Sequence, residues 1–234
     1  MRKISIPLIL LCLSFLIIAQ NRLNIHQSNN ITSGVLISEI DSLNFSTESN
    51  KINLFLKDTV AGIMVSSIDS ISYGNYGDTV NIRFDGAKAY VLNPFAFKGV
   101  SVTVENSDVI IKSVSETKNI CYNISGNSSD GQLKIYSDKK FTIILNSLNL
   151  TNANGPAINI QSEKEVSVIL KDGTSNYLCD GNTYSSAPVN SDGETEDQKA
   201  VFFSEGQLIF SGTGKLSITG KGSESHAICS DDYI

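Results

Sequence analysis

Leu133-Lys134-Ile135-Tyr136, Phe141-Thr142-Ile143-Ile144-Leu145, Ala157-Ile158-Asn159-Ile160 and Val166-Ser167-Val168-Ile169-Leu170 decide the fold of this chain. Each is a short apolar run too brief for a helix, and polar corners of Asn, Gly, Ser and Asp separate them. The spacing carries the argument. Ile135 recurs as Ile160 and Ile143 as Val168, each 25 residues later. One such interval holds three short strands, as a turn of a parallel β-helix requires: each turn buries its inward Ile, Val and Leu only by stacking on the next. A β-sandwich is the alternative reading of the same runs.

The period extends in both directions. Ala157-Ile158 recurs as Ala200-Val201 after 43 residues and as Ala227-Ile228 after a further 27. The longer interval equals one turn plus a loop supplied by the polar stretch from Gly181 to Lys199, in which the run from Asp192 to Asp197 is expected to be mobile. Further short runs, Val100–Val104, Asp108–Ile111, Ile120–Ile124, Leu208–Phe210 and Leu216–Ile218, fill the region from residue 86 to Ile234.

Before residue 86 a different repeat operates. Val35-Leu-Ile-Ser-Glu-Ile-Asp-Ser-Leu-Asn-Phe45 matches Ile63-Met-Val-Ser-Ser-Ile-Asp-Ser-Ile-Ser-Tyr73 at an offset of 28 residues. Both copies end in Ile-Asp-Ser followed by alternating apolar and polar residues, a strand pattern. Residues 21–85 are thus expected to form a small antiparallel β module that packs on the strands after residue 86. The repeat resembles a short N-terminal accessory module of secreted and surface proteins of the Bacteroidetes type. Residues 1–20 combine a cationic start (Arg2, Lys3), an apolar run from Ile4 to Ile18 and a small-residue edge at Ala19. This is the order of a signal peptide, too short for a comfortable membrane span.

Composition excludes several classes. Of the 234 residues 41% are apolar and 18% charged, so a core can form. The formal charge of −6 becomes −8 once Arg2 and Lys3 are removed, and no basic face for nucleic acid is present. Arginine occurs only at positions 2, 22 and 83, so the whole region after 86 has none. Cys121, Cys179 and Cys229 show no metal-ligand spacing, and a Cys179–Cys229 disulfide stays open.

The ordered blocks Tyr122-Asn-Ile-Ser-Gly126, Asp130-Gly-Gln-Leu133, Leu148-Asn-Leu-Thr-Asn152 and Gly155-Pro-Ala-Ile158 are similar to one bacterial family. So are Leu178-Cys-Asp-Gly181, Leu208-Ile-Phe-Ser-Gly-Thr-Gly-Lys-Leu216 and His226-Ala-Ile-Cys-Ser-Asp-Asp232. This is the carbohydrate-binding domain-containing family, and the resemblance covers about residues 108–234. It implies an all-β, right-handed parallel β-helix related in fold to pectate lyases, preceded here by the small antiparallel module. It also implies calcium and an acidic plant polysaccharide such as polygalacturonate. Members run on beyond the Ser-x-Asp-Asp segment, so a truncated stack ending in mid-strand at Ile234, able to associate through an uncapped last turn, is expected.

Candidate residues come from the strand pattern and the resemblance together. Calcium takes six to eight hard oxygens, and Asp180, Asp231 and Asp232 lie in the family-like blocks. Tyr184 and Tyr177 are candidate sugar platforms in a chain without tryptophan, and Lys171 is a candidate for a uronate carboxylate. Asn146, Asn149, Asn152, Asn154 and Asn176 read as corner and ladder residues. The functional expectation is an exported, non-catalytic binder of acidic polysaccharide. A structural or adhesive solenoid and a lyase-like enzyme are the alternatives. The N-terminal order predicts that protein collected outside the cytoplasm begins after residue 19 or 20; Edman sequencing that finds an intact Met1 in the cytosol overturns this.

Overall fold

The computed structural model describes residues 21–190, 193–222 and 226–234; the expected signal peptide and Asp192 lie outside the described residues. Two 3₁₀ turns are the only helical elements among them, and the protein is all-β with several sheets. No helix among the described residues is long and apolar enough to cross a membrane.

The first six strands are β1 (Arg22–Gln27), β2 (Ile31–Leu36), β3 (Ile40–Ser46), β4 (Lys51–Leu56), β5 (Thr59–Met64) and β6 (Ile68–Gly74). Every pairing among them is antiparallel. The 28-residue repeat is visible as strand, 3₁₀ turn, strand: Ile37–Glu39 joins β2 to β3, and Val65–Ser67 joins β5 to β6. Each turn carries the chain between two three-strand layers, β2-β1-β6 and β3-β4-β5, so each copy lends its last strand to the other layer. Leu23, Ile25, Val35 and Leu54 are buried between them.

The remaining strands are β7 (Thr79–Asp85), β8 (Lys88–Asn93), β9 (Val100–Glu105), β10 (Asp108–Ser113), β11 (Ile120–Ser128), β12 (Gln132–Ser137) and β13 (Phe141–Thr151). They continue with β14 (Ile158–Ile160), β15 (Val166–Leu170), β16 (Ser175–Cys179), β17 (Ala200–Ser204), β18 (Leu208–Gly212), β19 (Lys215–Thr219) and β20 (His226–Ser230). Three rows of parallel pairs run through them. The first is β7, β11, the start of β13, β15 and β18. The second joins the end of β13 to β16 and β19. The third is β10, β12, β14, β17 and β20, with β9 antiparallel at its edge.

The chain visits the rows in a fixed order, and the inward residues of all three meet in one core. Ile135 faces Ile160 and Ile143 faces Val168, as the 25-residue spacing requires. The Ala-apolar recurrence is off by one, however. Ile158 pairs with Phe202, and Phe202 with Ile228, so Ala157 aligns with Val201 rather than Ala200. All of Ala200–Phe203 is buried, so the inside-outside alternation that normally fixes register is missing there.

The module and the rows share a sheet. Strand β8 forms a hairpin with β7 and pairs in parallel with β2, so residues 79–85 of the expected module already belong to the first row. At the other end, Asp231–Ile234 are not strand; Leu208 N–H donates to the Tyr233 carbonyl at 2.9 Å. The mid-strand ending is corrected accordingly. The three thiols among the described residues are free, with Cys179 in the second row and Cys229 in the third.

The corner between the first two rows explains two glycines. Gly126 and Gly212 have φ of 89° and 90°, and a Cβ on either would run into a carbonyl of the preceding strand, Phe84 and Leu170 respectively. In β13 the same corner is turned by a bulge at Ser147, also left-handed at 58°. Gly126→Ala is expected to cost more than the roughly 1–2 kcal/mol of a left-handed residue, because the Phe84 backbone must also move. Gly173→Ala, at φ 73° with open space around it, costs only the conformational part. Urea denaturation ranks the two; equal losses would contradict the corner packing.

Candidate functional site

The stretch from Gly181 to Lys199 leaves the second row and lies across the outer face of the third. Its start is tied down by Asp180, which is fully buried. The carboxylate accepts from Tyr184 Oη at 2.8 Å and from the Lys221 backbone N–H at 2.5 Å. Ser185 N–H then donates to the Asn154 carbonyl at 2.8 Å. Farther on, Glu196 accepts from Lys134 Nζ at 2.8 Å and from Tyr136 Oη at 2.6 Å. Lys134 and Glu196 are only 5% and 8% exposed. Gln161 Nε2 donates to the Asp197 carbonyl at 2.9 Å. Around Glu196 and Asp197 the segment is docked, not mobile. A buried ion pair with a third donor holds its geometry because separating the charges strands both.

A depression opens on each side of this strap. The one near the starts of the third-row strands has a volume of 360 Å³ and is lined by Asp108, Asp130, Gln132, Asn152, Asn154 and Ser186 among others. The stacked corner beneath it is held by hydroxyl and amide bonds. Ser128 Oγ donates to Ser107 Oγ at 3.1 Å, and Asn152 Nδ2 donates to the Pro156 carbonyl at 2.8 Å. Burial raises the Asp108 carboxyl above its ordinary range, and the neighbouring Asp130 charge adds to this.

The depression at the strand ends is larger, 800 Å³, and acidic. Glu163, Glu194, Glu205 and Asp231 line it, with Tyr136 and Lys164. Lys199 bonds both Asp231 oxygens at 2.9 Å and Asp197 at 2.7 Å. Those bonds, Asp197 first, push the Lys199 ammonium upward in pKa. Among the described residues Glu205 has no such cation. Burial raises its carboxyl, and Asp197, Glu163, Asp231 and Glu196 raise it further.

The residues expected from sequence therefore divide. Asp180 and Tyr184 come together, but as a structural anchor whose carboxylate oxygens are already engaged, so they do not fit a calcium ion. Tyr184 is half-buried. Asp231 lies at the acidic depression with Glu205, and Asp232 is exposed just beyond it. Tyr177 is exposed on β16, opposite Asn149 and Ser217 in the second row, and Lys171 is exposed at the preceding corner. Neither lines the acidic depression. Among the described residues no three His, Cys, Asp or Glu side chains converge on one metal position. Hard oxygens from Gln161, Ser162 and Asn190 line the same depression as Glu163 and Glu205, which is the donor chemistry calcium takes. Sequence alone does not single out Glu163, Glu205 or Glu196. The available signal is the recurrence of a polar residue just after four third-row strands, Asp138 after β12, Gln161 after β14, Glu205 after β17 and Asp231 after β20.

The sequence profile of the carbohydrate-binding domain-containing protein family matches residues 99–234, and the chain belongs to that family. A carbohydrate-binding domain-containing protein of Acetivibrio thermocellus is 29% identical over 127 residues, which is 52% of this chain and 43% of the relative. A polysaccharide lyase-like protein from C. thermocellum, solved as a gadolinium derivative, is 26% identical with a TM-score of 0.50; the match covers 62% of this chain and 53% of that one. The chain thus spans about half the length of the relatives it matches.

Two carboxylates are expected to behave oppositely. Glu196→Ala leaves Lys134 buried without its partner and should lower stability by about 3–5 kcal/mol. Glu205 has a raised carboxyl, so its ionised form costs stability, and that cost grows as pH rises through its folded pKa. Glu205→Gln should therefore raise the melting temperature at pH 7 and lose that advantage below about pH 4, where the unfolded carboxyl is also protonated. Thermal melts across this range decide it, and a destabilising Glu205→Gln at neutral pH contradicts the assignment.

Proposed function

We propose that this member of the carbohydrate-binding domain-containing family is an exported, non-catalytic binder of acidic polysaccharide such as polygalacturonate. The fixed order of three parallel rows supports reading residues 86–234, together with residues 79–85 of the first row, as a right-handed parallel β-helix. The antiparallel pairing of β1 to β6 supports reading the strands before them as its accessory module of the Bacteroidetes type. The acidic depression at the ends of the third-row strands carries the binding reading. Glu205 and Glu163 are carboxylates there that no cation among the described residues bonds, beside Asp231 and the amide and hydroxyl oxygens of Gln161 and Ser162.

A polyanion meets repulsion at such a surface. Calcium held by Glu163, Glu205 and neighbouring oxygens supplies the positive charge that a uronate carboxylate needs. Around it the chain's own residues orient the polymer: Lys164 lines the rim, and Tyr136, fixed through its hydroxyl to Glu196, offers a rigid ring edge. The strap closes one side of the depression. A non-catalytic role is favoured by the absence of arginine after Arg83 and by the ion pair that occupies Lys134.

The test is a titration of the chain from residue 21 with polygalacturonate, in calcium and then in chelator. Binding in calcium that disappears with chelator is expected, and Glu205→Gln should weaken it by about tenfold or more, some 1.4 kcal/mol. Asp180→Asn should act on folding instead. No association with polygalacturonate in calcium would overturn the acidic-ligand reading and favour the structural, adhesive alternative.

A further inference from the structure

A groove on the opposite side of the molecule belongs to neither depression. Asn123 Nδ2 donates to Asn81 Oδ1 at 3.0 Å, and Asn146 Nδ2 donates to Asn123 Oδ1 at 3.3 Å, so three half-exposed amides form a ladder across the first row. Beside it the Arg83 guanidinium lies 4.6 Å from the centre of the Tyr90 ring and donates to Asp85 at 2.7 Å. The antiparallel module supplies the facing wall. His26 is fixed there by Thr32 at 2.9 Å and Ser72 at 2.8 Å, next to Gln27 and Asp69. The depression is open to solvent and has a volume of 470 Å³, within the roughly 300–1,000 Å³ of ordinary ligand sites.

We propose that this groove is a second carbohydrate site, that its ligand is a neutral oligosaccharide, and that docking of the module creates it. Three features point the same way. The amides and hydroxyls of Gln27, Thr32, Asn81, Asn123 and Ser125 offer donors and acceptors in fixed positions, matching a hydroxyl-rich chain. The Arg83 guanidinium held over the Tyr90 ring is a preorganised platform in the lining, with Tyr90 36% exposed. Aromatic and guanidinium planes both accept the apolar C–H face of a pyranose.

Charge selects the class of sugar. Arg83 is already bonded to Asp85, which lies outside the lining, and Asp69 is the carboxylate among the lining residues, so the groove's cation is already paired and a carboxylate faces the ligand. A uronate chain entering here meets repulsion without a metal site to offset it, whereas a neutral chain does not. The site is also built differently from the family domain. Most of its lining, including Arg83, Tyr90 and the module residues, precedes residue 99, where the family match begins. It thus goes beyond the calcium-dependent reading and does not depend on it.

The experiment titrates the chain from residue 21 with cellohexaose, xylohexaose and mannohexaose, with chelator present throughout so that calcium-dependent binding is silent. At least one should bind. Tyr90→Ala should weaken that binding about tenfold or more and Tyr90→Phe should retain it, because the ring face and not the hydroxyl is the platform. Asp69→Arg, an exposed change on the module wall, provides an independent variant that should also weaken it by narrowing the groove. Neither change should alter polygalacturonate binding in calcium. The proposal is overturned if none of the three neutral chains binds, or if binding is indifferent to both Tyr90→Ala and Asp69→Arg. It is equally overturned if galacturonate oligomers bind under chelator and lose affinity in Arg83→Ala.

Discussion

Register between stacked parallel strands is the constraint on which the rest of this protein depends. A single turn of three short strands cannot bury its own inward Ile, Val and Leu; only the turns above and below it can. Successive side chains alternate faces, so a slip of one residue would turn the core outward and bring the outer polar rows inside. The pairs Val109–Leu133–Ile158–Phe202 and Tyr122–Ile143–Val168–Phe210 show that constraint satisfied through four turns. Ladders on the outer faces reinforce it. The amides of Asn81, Asn123 and Asn146 bond from strand to strand, and Lys140 meets Glu165 across one period.

A stacked architecture of this kind tolerates insertions at its corners, because a loop there leaves the ladder on either side in register. The strap between β16 and β17 uses that freedom. It is held at one end by a buried carboxylate, Asp180, and near the other by Glu196 on Lys134 and Tyr136. Those bonds turn an insertion into a wall, and the two depressions beside it exist because the wall stays in place. The two depressions beside the strap thus lie where the chain departs from its period, not where it keeps it.

The N-terminal module solves the opposite problem, the open edge of the first turn. Strand β8 pairs with β7 on one side and β2 on the other, so the first row continues into the module without an exposed edge between them. The exchange of last strands between the two halves of the module ties its layers together around Leu23, Ile25, Val35 and Leu54. Joining the two units also encloses surface that neither has alone, which is how His26 and Asp69 come to face Asn123 and Arg83.

The sequence alone determined the strand-rich class, the period near 25 residues and the 28-residue repeat, because these depend on local alternation and spacing. Ile135 opposite Ile160 and Ile143 opposite Val168 come directly from that periodicity. The register of Ala200–Phe203 was not legible, since four consecutive buried residues erase the alternation that would fix it. Nor was the part played by the acids. Asp180 and Asp231 look alike in sequence, each closing an apolar strand, yet one is fully buried as an anchor and the other is paired with Lys199 at an open depression. Glu196 looks like one more solvated charge in a polar run, and only its docking on Lys134, 62 positions away, makes it structural. Such roles are set by which turns the stack brings side by side and by the dielectric around each carboxylate, and these are properties of the packed chain, not of any local run of residues.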